Sequence, residues 1–208
     1  MSVRIDRTLK LVLDCKREDD GAAYHVFASA IPRAAVKTYW QVINNAMGKL
    51  HTSALGAASA PKFAAEAVRS AASELGMATA ADVEKNFIGE IKRLAMVILP
   101  KAGGWEPVSY EEAAKGLISE DESDEILNLL AFFTLALAFY PVQQREPMLT
   151  GAFVVHWNGL ITSQDFTAWK DSLPTSTLAA SSGETMTGVS SPMEHGGVRT
   201  HMGPSVPA

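Results

Sequence analysis

The chain has 208 residues, 47% of them hydrophobic and 20% charged, which is enough to bury a core and excludes whole-chain disorder. Its 23 acids against 18 Lys and Arg leave a net charge of -5, which argues against a generally basic nucleic-acid binder. The single cysteine, Cys15, excludes an internal disulfide framework and any multi-cysteine zinc site.

The amino terminus carries no apolar signal region, so a reduced cytoplasm is the expected compartment. Leu9, Leu11 and Leu13 alternate with Lys10, Val12 and Asp14, a period of two that predicts a strand over 8–13. The charged stretch 16–21 ends in Asp20-Gly21, a turn signal, and a second strand is expected over 22–30. The hairpin thus covers about 8–30, and must pack on helices or on a partner's sheet edge.

Pro32 suits a first helical turn. Val36, Tyr39, Trp40, Ile43, Met47 and Leu50 then form a stripe at three- and four-residue spacing. A loop with Gly56 and Pro61 leads to an alanine-rich helix over 62–75, stopped by Gly76. The next helix, capped by Thr79, has Val83, Phe87, Ile91, Leu94, Ala95 and Ile98 as its expected core face, and ends at Pro100 and Gly103-Gly104. Ser109 with Glu112, and Ser119 with Glu122, are capping-box spacings. They open a short helix to Leu117 and a long one to Tyr140, which Pro141 stops. Further helices are expected over 146–160 and 163–173. The expected fold class is therefore mainly α: a bundle-like body over 1–173 with an amino-terminal β-hairpin. Residues 174–208 hold 6 Ser, 5 Thr, 5 Gly and 4 Pro and no aromatic side chain, which predicts a disordered tail.

The run 126–142 has only Asn128 and Thr134 as polar residues. As a helix it reaches about 25 Å, short of the roughly 30 Å hydrocarbon core, and it reads as a central buried helix. No membrane partner is expected.

The chemistry-bearing residues are dispersed. His25, His51, His156, His195 and His201 show no metal-pair spacing. Cys15 and His25 face one another across the expected hairpin, without an evident third group. His156 beside Trp157 is the other candidate base. The acidic run 119–125 lacks the glycine and terminal glutamate of a calcium loop and reads as a solvated helix start. No phosphate loop is present. Catalytic residues, cofactor and metal are all assigned as none. Charge is uneven: 111–125 holds seven acids and one base, whereas the first 50 residues hold 8 bases and 5 acids, a mild excess that makes at most a weak site for an acidic partner. Phe153, Trp157, Phe166 and Trp169 precede the tail, and such residue types anchor interfaces.

The order of segments carries a resemblance. It runs from the apolar strand and Asp-Asp-Gly turn to Ile31-Pro32-Arg33 and Ile91-Lys92-Arg93-Leu94. The Pro100–Glu106 loop, Phe132-Phe133-Thr134 and Ser172-Leu173-Pro174-Thr175-Ser176-Thr177 follow. This pattern resembles the tail assembly chaperones of long-tailed bacteriophages. The resemblance implies a largely helical, non-enzymatic protein of the host cytoplasm that keeps the tape measure protein soluble, brings major tail protein subunits to it and is absent from the finished virion. It further implies a short form of a pair related by translational frameshifting. A homo-oligomer is compatible with it, and nucleic acid is not an expected partner. The alternatives are a minor tail or head-completion protein retained in the particle, and a small helical enzyme using Cys15 or His156.

Overall fold

The computed structural model describes residues 1–6, 9–17, 19–52, 57–157, 160–162 and 173. All belong to one compact unit, Met1–Leu178. The expected tail, 174–208, and the expected helix 163–173 apart from Leu173 lie outside the described residues.

The mainly α bundle is corrected. The fold is mixed: a six-stranded sheet in the order β5-β4-β3-β2-β1-β6 carries helices packed on one face. β1 (Ser2–Asp6), β2 (Leu11–Lys16) and β3 (Ala23–Ala28) form an antiparallel meander. The expected hairpin is thus present, with Gly21 at φ +68° in its turn. It lies inside a larger sheet instead of standing alone. Nothing in the local sequence marks β1 as a strand, because it is only five residues long and has just two apolar side chains, Val3 and Ile5, with Arg4 between them. Val3 and Ile5 face the core, while Arg4 turns to the opposite face.

The first part of the helical layer is inserted between β3 and β4. It comprises α1 (Arg33–Thr38), α2 (Trp40–Thr52), a 3₁₀ turn (Ala57–Lys62) and α3 (Ala64–Glu74). A composite helix follows, made of α4 (Met77–Asp82), a π-helical stretch (Val83–Ile88) and α5 (Gly89–Arg93). The wider π turn leaves the adjacent Phe87 and Ile88 both fully buried. The chain then enters β4 (Ala95–Lys101), which pairs with β3, and turns through Ala102 and Gly103, the latter at φ +87°, into β5 (Gly104–Ser109). Here the expected helical face of Ala95 and Ile98 is overturned. An apolar run such as Ala95–Leu99 fits a buried helix or a buried strand equally well, and pairing with β3 decides for the strand. Pro107 lies on the edge strand β5, where its missing N–H is tolerated.

α6 (Tyr110–Ala113) and α7 (Glu120–Phe139) start as the capping spacings require. Ser109 Oγ accepts the Glu112 N–H at 3.2 Å. In α7 the box is reciprocal: Ser119 Oγ accepts from Glu122 N, and Glu122 Oε2 accepts from Ser119 N at 2.9 Å. α7 is the central buried helix. Its two polar interruptions have structural uses: Thr134 donates to the Leu130 carbonyl at 2.9 Å, and Asn128 Oδ1 accepts the Ala65 N–H at 2.9 Å, satisfying a free donor in the first turn of α3. Among the described residues, no helix is long and apolar enough to cross a membrane. After Pro141 the chain forms α8 (Val142–Trp157), then β6 (Leu160–Thr162), which pairs parallel to β1. The expected helix 146–160 therefore starts earlier and ends in a strand.

The sheet's face toward the helices supplies Val3, Leu11, Leu13, Tyr24, Val26 and Val97 to the main core. The other face carries a smaller cluster, Val12, Phe27 and Ile98, against which Trp105 and Leu173 pack.

Candidate functional site

An apolar cleft of about 180 Å³ opens where α2, α7, α8 and the 3₁₀ turn meet. Its walls are Met47 and Leu50 from α2, Phe132 from α7, and Met148, Gly151 and Ala152 from α8. The sequence keeps it open: Gly151 and Ala152 offer little side chain, and a Cβ at Gly151 would meet nothing within 4 Å. Pro147, inside α8, also lines the cleft. One polar pair stands at the wall, where the Tyr140 hydroxyl and His51 Nε2 share a hydrogen bond of 2.9 Å. Burial raises the Tyr140 phenol pKa, so the phenol stays neutral at physiological pH. Beside the cleft, Trp40 stacks on Phe139 at a centroid distance of 6.4 Å, and Phe139 also meets the rings of His51 and Tyr140. Trp40 is 47% exposed and Val142, at the start of α8, is 65% exposed. Flexible methionines, an aromatic rim and one hydrogen-bonding pair can grip an apolar side chain presented by a partner.

A polar cluster lies elsewhere, on the sheet. Cross-strand pairing sets Asp14 opposite His25 and Cys15 opposite Tyr24. Alternation then sends Cys15 into the helix-covered core, whereas His25 turns to the other face and packs on Trp105 at 4.9 Å. The expected Cys15–His25 facing is therefore not what the register produces. Burial pushes the Cys15 thiol up to about 12, so it is protonated at neutral pH and a poor nucleophile. Asp14 sits at the hub of the outer network. It accepts two bonds from Arg4, at 2.8 and 2.6 Å, and one from Ser2 Oγ at 2.9 Å, and lies 2.7 Å from His25 Nδ1. Burial by itself raises its pKa, but the bonds from His25, Arg4 and Ser2 outweigh it and hold the carboxyl at about 2. Among the described residues no group of three or more His, Cys, Asp and Glu could hold a metal ion.

Of the aromatic residues expected at a partner surface, Phe153 is fully buried and packs edge-on against Phe132 at 5.6 Å. The side chain of Trp157, and Phe166 and Trp169 altogether, lie outside the described residues, as does the side chain of His156. The acidic start of α7 is exposed at Glu120, Asp121 and Asp124, but Glu122 is buried by its capping role. Trp40 and the His51–Tyr140 pair were not singled out in the sequence. The spacing sets Trp40 in the apolar stripe of α2, yet it is exposed; Pro147 with Gly151 in one helix was the available signal. No family model, curated protein or solved structure matches this chain.

Proposed function

We propose that this protein is a tail assembly chaperone of a long-tailed bacteriophage, acting through protein contacts without catalysis. In this reading it holds apolar stretches of the tape measure protein and brings tail-tube subunits to them in the host cytoplasm. The order of sequence segments supports the reading, although the sheet departs from the largely helical body that the resemblance implies. The observation that carries it is the open cleft between α2, α7 and α8, lined by Met47, Met148 and Tyr140, with the Trp40–Phe139 stack packed beside it against Tyr140. A long helical client exposes apolar side chains in series, and a groove between helices takes such side chains one at a time. The dispersed polar groups and the protonated Cys15 thiol favour binding over chemistry.

The test is co-expression of the full chain with the tape measure gene of the same genome. The expected result is a soluble tape measure protein that co-purifies with the chain, and loses both properties with Trp40→Ala combined with Met148→Ala. Equal insolubility with and without the chain overturns the reading.

A further inference from the structure

A second cleft, of about 440 Å³, lies where the chain leaving β3 and helix α1 meet the last turns of α7. Its floor is apolar: Leu9, Ile31, Val36 and Leu137. Its rim is basic: Arg33 and Lys37 from α1, and Arg145 from α8. Among the described residues that line it there is no Asp or Glu. Arg33 and Lys37 are exposed and make no ion pair among the described residues. Arg145 is held in place, because its Nε–H donates to the Tyr140 carbonyl at 3.0 Å. Leu9 has φ +57°, a conformation that bulky residues rarely adopt, so the chain bears local strain at the cleft floor.

In a chain of net charge -5, three cations gathered around an apolar floor form a local field opposite in sign to the molecule. We infer that this cleft binds an acidic amphipathic segment of another protein: apolar side chains seated on Leu9, Val36 and Leu137, with flanking Asp or Glu paired to Arg33, Lys37 and Arg145. Charge complementarity selects the acidic flank. The apolar floor selects a peptide over nucleic acid, since among the described residues no aromatic ring lines the cleft for base stacking. The inference does not rest on the chaperone reading. It uses different residues, and its test needs no tape measure protein.

The experiment is a fluorescence-anisotropy titration of the full chain against a labelled 18-residue probe peptide. The probe carries Leu at helical spacing and Glu on both flanks. Saturable binding is expected, weakening at least fivefold from low to 300 mM salt. Arg33→Glu with Lys37→Glu should weaken it at least tenfold, and the milder Arg33→Gln with Lys37→Gln at least threefold. Lys62→Glu with Lys85→Glu, equal in net charge and outside the lining of the cleft, should change it less than twofold. Circular dichroism should show that every variant is folded; the Gln pair serves if the Glu pair is not. Equal affinity for a peptide with Lys in place of Glu overturns the proposal, as does equal loss in the remote pair. Tighter binding of a (dT)20 oligonucleotide also overturns it. Self-association of the free chain that the Arg33 and Lys37 changes abolish would assign the cleft to a second copy instead, and likewise overturns it.

Discussion

His25 Nδ1 and Asp14 Oδ1 lie 2.7 Å apart across the β2–β3 pair, on the sheet face away from the helices, with Arg4 closing the same carboxylate from β1. Three neighbouring strands are thus tied by one acid, and its charge becomes part of the fold.

That dependence has a sign. The Asp14 carboxyl is at about 2 in the folded chain, against the ordinary 3.8 it has when solvated in the unfolded chain. Its contribution is fully present above pH 3.8 and is lost as pH falls toward 2. Converted at about 1.4 kcal/mol per unit, the difference is about 2 kcal/mol. Asp14→Asn should lower stability at pH 7 and flatten the acid limb of the stability curve between pH 4 and 2, as measured by urea unfolding at a series of pH values. An unchanged acid limb would show that the network does not hold the charge.

Cys15 offers a clean probe because the chain has no other thiol. With its pKa raised by burial to about 12, it should resist a soluble disulfide reagent at pH 8 in the folded chain and react at one equivalent in denaturant. Rapid native labelling would contradict the burial and revive a nucleophilic role.

The α7 capping box should be measurable. Ser119→Ala removes the acceptor for the Glu122 N–H, and should cost about 1 kcal/mol, seen as a lower urea midpoint with an unchanged slope. Glu122→Ala should cost more than Ser119→Ala, because it also removes one of the partners of the buried Tyr24 hydroxyl, at 3.4 Å, leaving it the weaker Cys15 sulfur.

Phe153 separates core from surface. Truncating a fully buried phenylalanine costs about 3–5 kcal/mol, so Phe153→Ala should chiefly destabilise the chain. A variant of native stability that fails only in partner binding would return Phe153 to the contact surface.

The apolar cleft can be filled from within. Gly151→Leu places a side chain in open space and gains helix propensity of about 0.8 kcal/mol, so thermal stability should hold or rise while tape measure co-purification falls. Retained co-purification with the cleft filled would remove the cleft from the binding role.

The elements that local chemistry dictates were legible. Gly21 in the β2–β3 turn, Gly76 after α3, the two capping serines and the stop at Pro141 stand where the sequence places them, because each acts through bonds within a few residues. Ala95 to Leu99 was not legible as a strand. Its side chains satisfy a helical stripe as well as a strand, and the choice depends on β3, some seventy residues upstream. The strand character of Leu160–Thr162 depends in the same way on β1 at the other end of the chain.

From its sequence alone, the long apolar run with two polar interruptions pointed to a buried central helix, and packing against α2, α3 and α8 makes α7 that helix instead of an exposed apolar surface. The sequence also determined where α6 and α7 begin, because their serine caps act locally, whereas α4 starts at Met77 behind Gly76 instead of at a Thr79 cap and α8 starts at Val142 instead of near Glu146. Only the tertiary structure decided that the strands form one sheet, that Cys15 and His25 turn to opposite faces, and that Arg33, Lys37 and Arg145 surround one cleft. Those outcomes rest on pairing register and on the meeting of distant segments. Neither is encoded in the spacing of neighbouring residues.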